Sequence, residues 1–347
     1  MVAYTKEESK SWARATMRGV CNVLMPSFSS DLQELNEEGI RHDVRRCQEL
    51  GFWGSLAVSE CGTTIDEYLR FIEIACDEGG PDYHVMVHGS FNTLAEAIHV
   101  GQRAATLGAD TFLLTYPPSF YPETDDDVYA YSTAVMDAVP LATILFSVRH
   151  WNFARLSPAD LSAPLVARLA EHPRAVALKC EGGAPGNGAH ADVLRLCSDK
   201  LLISDPREAT SPGHVQWFGM QWMGTSLFQY FGDAVPRYFD LMHQDRWEEA
   251  MEIYWRIQPA RAARAADTQS YHGANFIHRL SWKYMEWLVG FNGGALRMPT
   301  MRLNDAATKR LADAAIKAGV IDEVPGTLAD FYASANPLGP RSISLTR

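Results

Sequence analysis

Short apolar segments alternate with amphipathic helical segments along most of this chain, and this alternation limits the fold more than any other feature. Eight strand-then-helix units follow one another at a spacing of roughly 25 to 35 residues. This spacing indicates parallel strands joined by helical crossovers, because a tight turn cannot connect parallel neighbours. Eight is the number of units that closes such a sheet into a (β/α)8 barrel.

Each predicted strand is a short apolar run bounded by glycine, proline or polar residues. Asn36 is placed to cap the first helix, Thr93 and Glu96 have the form of a capping box, and Ser157-Pro158 has the form of a helix start. The predicted strands span residues 18–25, 53–58, 84–88, 111–115, 141–146, 175–181, 200–204 and 221–228, and the predicted helices between them span 36–50, 64–76, 93–107, 125–137 and 157–169.

An open, doubly wound sheet is the alternative fold. It usually carries a glycine-rich dinucleotide turn after its first strand, and Met25-Pro-Ser-Phe-Ser-Ser is not such a turn. We therefore predict an α/β fold, a (β/α)8 TIM barrel with a C-terminal helical extension. The predicted divisions are an N-terminal extension (1–17), the barrel (18–235), a helical module (236–325) and a tail (326–347), with helices at 237–244, 246–264, 272–289 and 304–318.

Composition narrows the classes of function. The chain has 347 residues and a formal net charge of −11, which argues against nucleic acid and against an anionic membrane surface as partners. It has no apolar run of membrane-spanning length, and its first residues lack the pattern of a secretory signal, so we expect a cytoplasmic protein. The six cysteines form no C-x-x-C pair, so neither a zinc site nor a disulfide scaffold is indicated.

Lys179 ends the sixth apolar run, Ala175-Val-Ala-Leu-Lys-Cys-Glu181, and a glycine-rich loop follows it. Desolvation at such a place disfavours the charged amine, so the pKa of Lys179 should fall and the amine should become a usable nucleophile. A neutral amine can attack a ketone and, as an iminium, accept electrons from a breaking bond. The alternative is a lysine whose stem lies along the strand end with its ammonium in water.

The barrel fold gives Lys179 a functional setting, since active sites in this fold lie at the C-terminal ends of the strands. A metal site built from Glu60, His88 and Asp205 is conceivable, but no close ligand spacing such as H-x-H is present, so we predict no metal and no other cofactor. The polar and aromatic residues that follow the predicted strands are Ser59, Glu60, His88, Asn92, Tyr116, Phe146, Ser147, His150, Asp205 and Arg207.

Over roughly residues 18 to 302 the sequence resembles the dihydrodipicolinate synthase/N-acetylneuraminate lyase family of class I aldolases. The resemblance implies that Lys179, within Leu178-Lys-Cys-Glu181, forms a Schiff base with a pyruvate-like substrate. Segments that resemble other family motifs are Ala57-Val-Ser-Glu-Cys61 (the carboxylate-binding motif), Ser90-Phe-Asn-Thr-Leu-Ala-Glu-Ala97, Asp205, and Gly293-Gly-Ala-Leu-Arg-Met-Pro299.

The departures from the family pattern concern proton transfer and carboxylate binding. The family's fifth strand normally ends in a tyrosine that relays protons, and an ungapped alignment puts Phe146 there. A phenyl ring cannot carry a proton. Ala57 and Val58 replace the two threonines of the carboxylate motif, which leaves Ser59 and main-chain donors.

Three consequences stay open. Another acid/base can replace the tyrosine, and His150 is favoured because imidazole titrates near neutrality, with Tyr116, Tyr121 and His88 as further candidates. A structural loop histidine is the other interpretation of His150. The substrate itself or a bound water can supply the proton-carrying group. The barrel can also have lost aldolase chemistry.

Chain length and the N-terminal extension resemble the family's hydratase-aldolases, which act on aromatic benzylidenepyruvates. Aromatic residues near the strand ends suit a flat apolar substrate. We therefore predict hydratase-aldolase cleavage to an aldehyde plus pyruvate, with Lys179, His150 and Tyr116 as catalytic residues. The predicted substrate-binding residues are Ser59, Glu60, Asn92, Phe146, Ser147, Trp151, Asp205 and Trp222, and further aromatic candidates are Phe91, Phe120, Phe153 and Trp217.

The alternatives are a divergent member that catalyses dehydration, hydration or condensation, and a ligand-binding or regulatory barrel. Covalent capture of a keto acid by borohydride distinguishes an enzyme of this mechanism from a binding protein. The only expected small-molecule partner is a 2-oxo acid substrate, and the resemblance implies a homodimer or homotetramer.

Overall fold

The computed structural model describes residues 2–148, 151, 153–157, 160–181, 187–269, 277–297 and 302–333. In this part of the chain eight strands lie where the sequence predicted them, with bounds that agree to within two residues. They are β1 (Gly19–Leu24), β2 (Gly54–Ala57), β3 (His84–His88), β4 (Thr111–Leu113), β5 (Ala142–Ser147), β6 (Ala175–Cys180), β7 (Leu202–Ser204) and β8 (Trp222–Ser226).

Fourteen α-helices occur in the described part of the chain. The N-terminal helix precedes β1, seven helices follow the strands, and the others lie beyond β8. They are α1 (Ser9–Thr16), α2 (Glu37–Glu49), α3 (Ile65–Gly79), α4 (Leu94–Leu107), α5 (Asp125–Ala138), α6 (Ala163–Leu169), α7 (Asn187–Cys197), α8 (Ser211–Phe218), α9 (Ala234–His243), α10 (Trp247–Arg256), α11 (Gln258–Gln269), α12 (Arg279–Leu288), α13 (Asp305–Lys317) and α14 (Leu328–Ala333).

The strands form one sheet in the order β7-β6-β5-β4-β3-β2-β1-β8. Sheet neighbours are therefore chain neighbours, and the last strand pairs beside the first. This order and the helices between the strands make a nearly closed (β/α)8 barrel followed by C-terminal helices, which confirms the predicted fold class. None of the described helices is long and apolar enough to cross a membrane.

Most of the predicted helix starts are present. The Asn36 side chain accepts a hydrogen bond from the Gly39 N–H, and Thr93 and Glu96 form the predicted reciprocal capping box. The start predicted at Ser157 is wrong. This helix, α6, begins at Ala163, because Ser162 supplies the N-cap and accepts from the Leu165 N–H, with a proline in the first turn.

The C-terminal helices differ in their bounds from the prediction. The single helix predicted over residues 246–264 is two helices, α10 and α11, and Pro259 lies in the first turn of α11, where its missing N–H is tolerated. The predicted start at His272 lies outside the described residues. α14 occupies part of the segment that the sequence indicated as a tail.

The chain divides into two compact units, Met1–Cys21 with Pro81–Ser226 and Asn22–Gly80 with Leu227–Arg347. In the first unit, β3 to β7 are consecutive parallel neighbours. β5 and β6 are buried along their whole length, since parallel strands of a barrel are covered on both faces.

The second unit contains a buried group of charged side chains. Glu286 of α12 is 2% exposed and accepts a hydrogen bond from the Gln229 amide, and Lys283 donates to Ser27 Oγ at 3.1 Å. Burial raises the pKa of Glu286 to about 8, although the nearby Lys283 ammonium opposes the shift. Burial likewise raises the pKa of Asp43 to about 6. No sequence pattern indicated these residues.

Gly101 is the glycine of α4 that the packing requires. A Cβ at this position would lie 2.7 Å from both Val139 methyl carbons and 3.2 Å from Phe112 Cε2. Alanine in a helix gains about 1 kcal/mol over glycine, whereas overpacking a core costs typically about 1 to 3 kcal/mol. We therefore expect Gly101→Ala to lower the free energy of unfolding by about 1 kcal/mol, measured by urea denaturation.

Gly213 of α8 provides the matched control, because a Cβ there meets nothing within 4 Å. We expect Gly213→Ala to raise the free energy of unfolding by about 0.5 to 1 kcal/mol. If both variants are more stable than the unchanged protein, the Val139 side chain can move to accommodate a methyl group, and close packing does not require glycine at position 101.

Candidate active site

Lys179 lies near the C-terminal end of β6 and is 5% exposed. The strand register places it directly beside Phe146 of β5 on one side and Ser204 of β7 on the other. The predicted burial of the lysine is therefore found, because the strand that carries it lies between two buried neighbours. An interpretation in which its ammonium reaches open water does not fit this exposure.

Phe146, Glu181 and Thr225 each contact the Lys179 ammonium. Nζ lies 4.0 Å from the centre of the Phe146 ring, 3.1 Å from Glu181 Oε1, and donates a hydrogen bond of 3.4 Å to Thr225 Oγ1 of β8. Burial favours the neutral amine, whereas the carboxylate and the ring face favour the ammonium. Burial and these two contacts therefore act in opposite directions on the same amine. The Glu181 carboxylate lies at hydrogen-bonding distance and can accept its proton.

Aromatic rings continue from Phe146 along one side of this site. The Trp151 ring meets Phe146 edge to face, with ring centres 5.6 Å apart, and its indole N–H donates to the Phe146 carbonyl at 2.9 Å. Tyr116 lies edge to face with Trp151 at 5.6 Å. Phe120 stacks on Tyr116 at 5.7 Å, and Phe153 also contacts Tyr116. These five rings form a continuous cluster, which we call the aromatic wall.

The Tyr116 hydroxyl is part of a buried hydrogen-bond chain towards α5. It lies 2.8 Å from Ser132 Oγ, and the Ser132 hydroxyl donates to the Val128 carbonyl. The proton of Tyr116 is therefore directed to Ser132, and burial raises the pKa of Tyr116 above its ordinary value. This placement favours Tyr116 as a member of the wall over a role in proton transfer.

The other predicted site residues of the first unit have varied settings. Ser147 is 3% exposed and its carbonyl accepts from the Glu181 N–H, whereas Asn92 is exposed. Trp222 is 1% exposed, and its indole N–H has no hydrogen-bond partner among the described residues. Trp217 is 76% exposed on α8, so it does not join the wall. His150 lies outside the described residues.

Ser59 and Glu60 belong to the second unit, where they follow β2. The Glu60 carboxylate pairs with the Arg279 guanidinium of α12, whose side chain is 7% exposed. Burial raises the pKa of the neighbouring Cys61 thiol to about 12, which keeps this thiol protonated and unreactive at neutral pH.

Asp205 is fully buried after β7 and lies in a cluster that the sequence did not predict. Burial acts to raise its pKa, but hydrogen bonds from Arg207 and Thr210 hold that pKa below the ordinary value. His190 of α7 and His214 of α8 lie beside it, with ring centres 4.4 Å apart. Burial lowers the pKa of His190 to about 4 and also lowers that of His214, so both imidazoles are neutral at pH 7.

Sequence spacing could not have shown this cluster. Its members lie 15 and 9 residues from Asp205, on two helices and a strand end, and they fit no compact ligand motif. Glu181 and Thr225 were also missed as neighbours of the Lys179 amine. Thr225 is 46 residues away in the chain, so only the folded barrel brings its hydroxyl to Nζ.

Known proteins resemble this chain over most of its length. The sequence model of the dihydrodipicolinate synthetase family matches residues 33–318. A 4-hydroxy-tetrahydrodipicolinate synthase from Geotalea daltonii is 34% identical over 266 residues, which cover 74% of this chain and 85% of the relative. The enzyme of the same name from Pelobacter propionicus is 26% identical over 285 residues, which cover 80% of this chain and 91% of the relative.

The fold is shared with solved structures. The N-acetylneuraminate lyase from Fusobacterium nucleatum superposes with a TM-score of 0.71 at 19% identity, covering 87% of this chain and 99% of that one. The family match spans most of the barrel and several of the C-terminal helices, in agreement with the resemblance found in the sequence. The chain therefore belongs to the dihydrodipicolinate synthetase family of class I aldolases.

Proposed function

We propose that this chain is a Schiff-base lyase that cleaves a pyruvate-derived 2-oxo acid through Lys179. The observation that carries the proposal is the buried Lys179 amine, 3.1 Å from the Glu181 carboxylate and 3.4 Å from the Thr225 hydroxyl. A buried amine beside a proton acceptor is what nucleophilic attack on a carbonyl requires.

The proposed reaction begins when Glu181 accepts a proton from the Lys179 ammonium. The neutral amine attacks the 2-oxo carbon, water leaves, and an iminium forms. When a base removes the proton of the substrate hydroxyl, the carbon–carbon bond breaks, the aldehyde leaves, and the bonding electrons enter the iminium as an enamine. Protonation of the enamine and hydrolysis then release pyruvate and restore the amine.

The aromatic wall supports an aromatic aldehyde half for the substrate. Phe146, Trp151 and Tyr116 present ring edges and faces rather than the hydroxyl and amide groups that a sugar acid would need. In the proposed hydratase-aldolase reaction, water adds across an alkene conjugated to the iminium. Retro-aldol cleavage then gives an aromatic aldehyde and pyruvate.

Proton transfer in this site falls to groups other than residue 146, because the phenyl ring of Phe146 has no exchangeable proton. We assign the proton shuttle to Glu181, which is within reach of Nζ and has a side chain that is 33% exposed. Its partial exposure lets it exchange protons with water during turnover. The Thr225 hydroxyl orients the amine by accepting its hydrogen bond.

Synthesis of 4-hydroxy-tetrahydrodipicolinate is the second candidate. It is favoured by the names of the two curated relatives, one of them 34% identical to this chain. Incubation with a benzylidenepyruvate separates the two candidates. The proposal predicts loss of the conjugated absorbance and release of benzaldehyde and pyruvate in equal amounts. No aldehyde release from the benzylidenepyruvate, together with formation of 4-hydroxy-tetrahydrodipicolinate in a separate incubation with pyruvate and an amino aldehyde, would contradict the aromatic assignment and leave the lysine chemistry intact.

Trp151 provides a test of the aromatic wall. Because its ring packs on Phe146, we expect Trp151→Ala to raise KM for a benzylidenepyruvate by about tenfold, the equivalent of about 1.4 kcal/mol of aromatic contact. Covalent trapping of pyruvate should be unchanged. The control is Trp151→Phe, which keeps an aromatic ring and loses only the hydrogen bond from the indole N–H to the Phe146 carbonyl. Steady-state kinetics give KM for the unchanged protein and for the two variants. Equal KM values for all three proteins would remove the wall from substrate binding.

A further inference from the structure

The cluster of His190, Asp205 and His214 lies in the first unit and does not include the Lys179 amine. One ligand atom from each side chain lies within 4.8 Å of the other two. β7 ends just before Asp205, while α7 and α8 supply the two imidazoles. Three separate elements thus direct two nitrogens and one carboxylate oxygen towards one point.

The His190 imidazole is buried without a hydrogen-bond partner among the described residues. The residue is 2% exposed, and within the described part of the chain neither ring nitrogen has such a partner. A buried polar group without a partner costs about 1 to 3 kcal/mol. His214, whose ring meets the His190 ring at 72°, and Asp205 lie beside it. A cation that accepts the lone pair of the unprotonated ring nitrogen would remove the share of this cost that this nitrogen causes.

Asp205 can supply a lone pair to the same ligand. Its Oδ1 accepts from the Arg207 N–H and Nε, and its Oδ2 accepts from Arg207 Nη2 at 2.7 Å. The Thr210 hydroxyl lies 2.8 Å from Oδ2 but also 2.8 Å from the Arg207 carbonyl. This hydroxyl has a single proton, so when a cation binds, the proton can turn from Oδ2 to the Arg207 carbonyl and free one lone pair of Oδ2.

We propose that His190, Asp205 and His214 bind one divalent transition-metal ion, with Zn²⁺ as the preferred ion. Two imidazoles and one carboxylate are a ligand set that zinc accepts, and the fourth position stays open to water. Tetrahedral zinc holds its ligand atoms roughly 3.4 Å apart, so binding moves the ligand atoms of the cluster, which lie within 4.8 Å of one another, closer by up to about 1.4 Å. Rotation of the two imidazoles about their side-chain bonds supplies this movement.

Access and charge set limits on the proposed site. The His214 side chain is 11% exposed and its ring contacts Phe218, which is 50% exposed, so the cluster lies one side chain below solvent. The Arg207 guanidinium opposes a cation through like-charge repulsion, while the Glu181 carboxylate near Arg207 offsets part of that charge. We therefore expect weaker binding than at a zinc site without a neighbouring cation.

Titration of the full-length protein with Co²⁺ after removal of metal by a chelator tests the proposal. Co²⁺ reports its own coordination through visible absorption bands, and it takes the same ligands as zinc. We expect one ion per chain, displaced by one equivalent of Zn²⁺. His190→Gln and His214→Asn should each weaken Co²⁺ binding by more than about tenfold, since each removes one of three ligands.

His84→Ala is the matched control, because His84 and Asp110 form a two-residue pair at 3.1 Å elsewhere in the same unit. This variant should bind Co²⁺ like the unchanged protein. Absence of a stoichiometric band in the unchanged protein would overturn the proposal and leave a buried cluster in which His214 Nε2 lies 3.4 Å from Asp205 Oδ2. A band that persists in both folded cluster variants, checked by circular dichroism, would also overturn it. Pyruvate trapping at Lys179 is independent of either result.

Discussion

The Lys179→Met variant is expected to lose turnover of 2-oxo acid substrates by at least about 10⁴-fold, as enzymes do when a covalent nucleophile is removed. Methionine keeps an unbranched apolar stem beside Phe146 but cannot form an iminium. Its partner Glu181 has a side chain that is 33% exposed, so the carboxylate can be hydrated and the fold should persist. Measurement of pyruvate release over an extended time course gives the residual rate.

Lys200→Met is the control for this change. Lys200 lies just before β7 with a side chain that is 35% exposed, and it pairs with Glu171 on the surface. We expect its kcat and KM to match those of the unchanged protein. Comparable rates in the two variants would mean that Lys179 does not form the reacting covalent bond.

The second large effect concerns pH and stability, and it arises from Glu286. Its folded-state pKa of about 8 lies above the ordinary value of 4.5, so between these pH values the folded chain holds a proton that the unfolded chain has lost. Stability due to this group is therefore full below pH 4.5 and falls as pH rises through 8. The slope reaches at most about 1.4 kcal/mol per pH unit for one proton.

Glu286→Gln removes this dependence, since glutamine resembles the protonated acid and its carbonyl can still accept from the Gln229 amide. We expect the variant to be more stable than the unchanged protein at pH 8.5 and to show a flatter stability curve from pH 6.5 to 8.5. Urea denaturation across this range makes the comparison. Below pH 6.5, Asp43 contributes a second slope of the same sign, because its pKa is about 6.

Glu249→Gln is the control for the stability measurement. Glu249 pairs with Arg246 on the surface of α10, and both side chains are at least half exposed. Such pairs contribute little, so the stability of the control should match that of the unchanged protein at every pH. Parallel pH curves for the unchanged protein and Glu286→Gln would show that Glu286 is ionised in the folded state.

Local sequence signals predicted most of the fold. Apolar runs such as Ala142–Ser147 are long enough to identify a buried strand, and the Thr93 and Glu96 pair identifies a helix start because both partners lie within one turn. The error at Ser157 has the same local origin. Ser162 offers an equal cap five residues later, and tertiary packing decides between two such signals.

Less of the candidate site was predictable. The sequence pattern places Lys179 at the end of a predicted strand and Phe146 at the end of the strand before it. Because neighbouring strands of a barrel lie side by side, both residues could be identified from the sequence. The Thr225 hydroxyl and the His190–Asp205–His214 cluster depend on contacts between separate elements, for which the sequence has no fixed spacing. The burial of a charged residue such as Glu286 also depends on contacts between separate elements, and no local sequence pattern indicates it.

Intact-protein mass spectrometry after incubation with pyruvate and sodium borohydride tests the Schiff base at Lys179 most directly. The reagent reduces an iminium to a stable amine, so each reacted chain gains the mass of one reduced pyruvate. We predict this gain in the unchanged protein and in Lys200→Met, and its absence in Lys179→Met. The same gain in Lys179→Met, or no gain in the unchanged protein with pyruvate or with aromatic 2-oxo acids, would contradict covalent catalysis by Lys179.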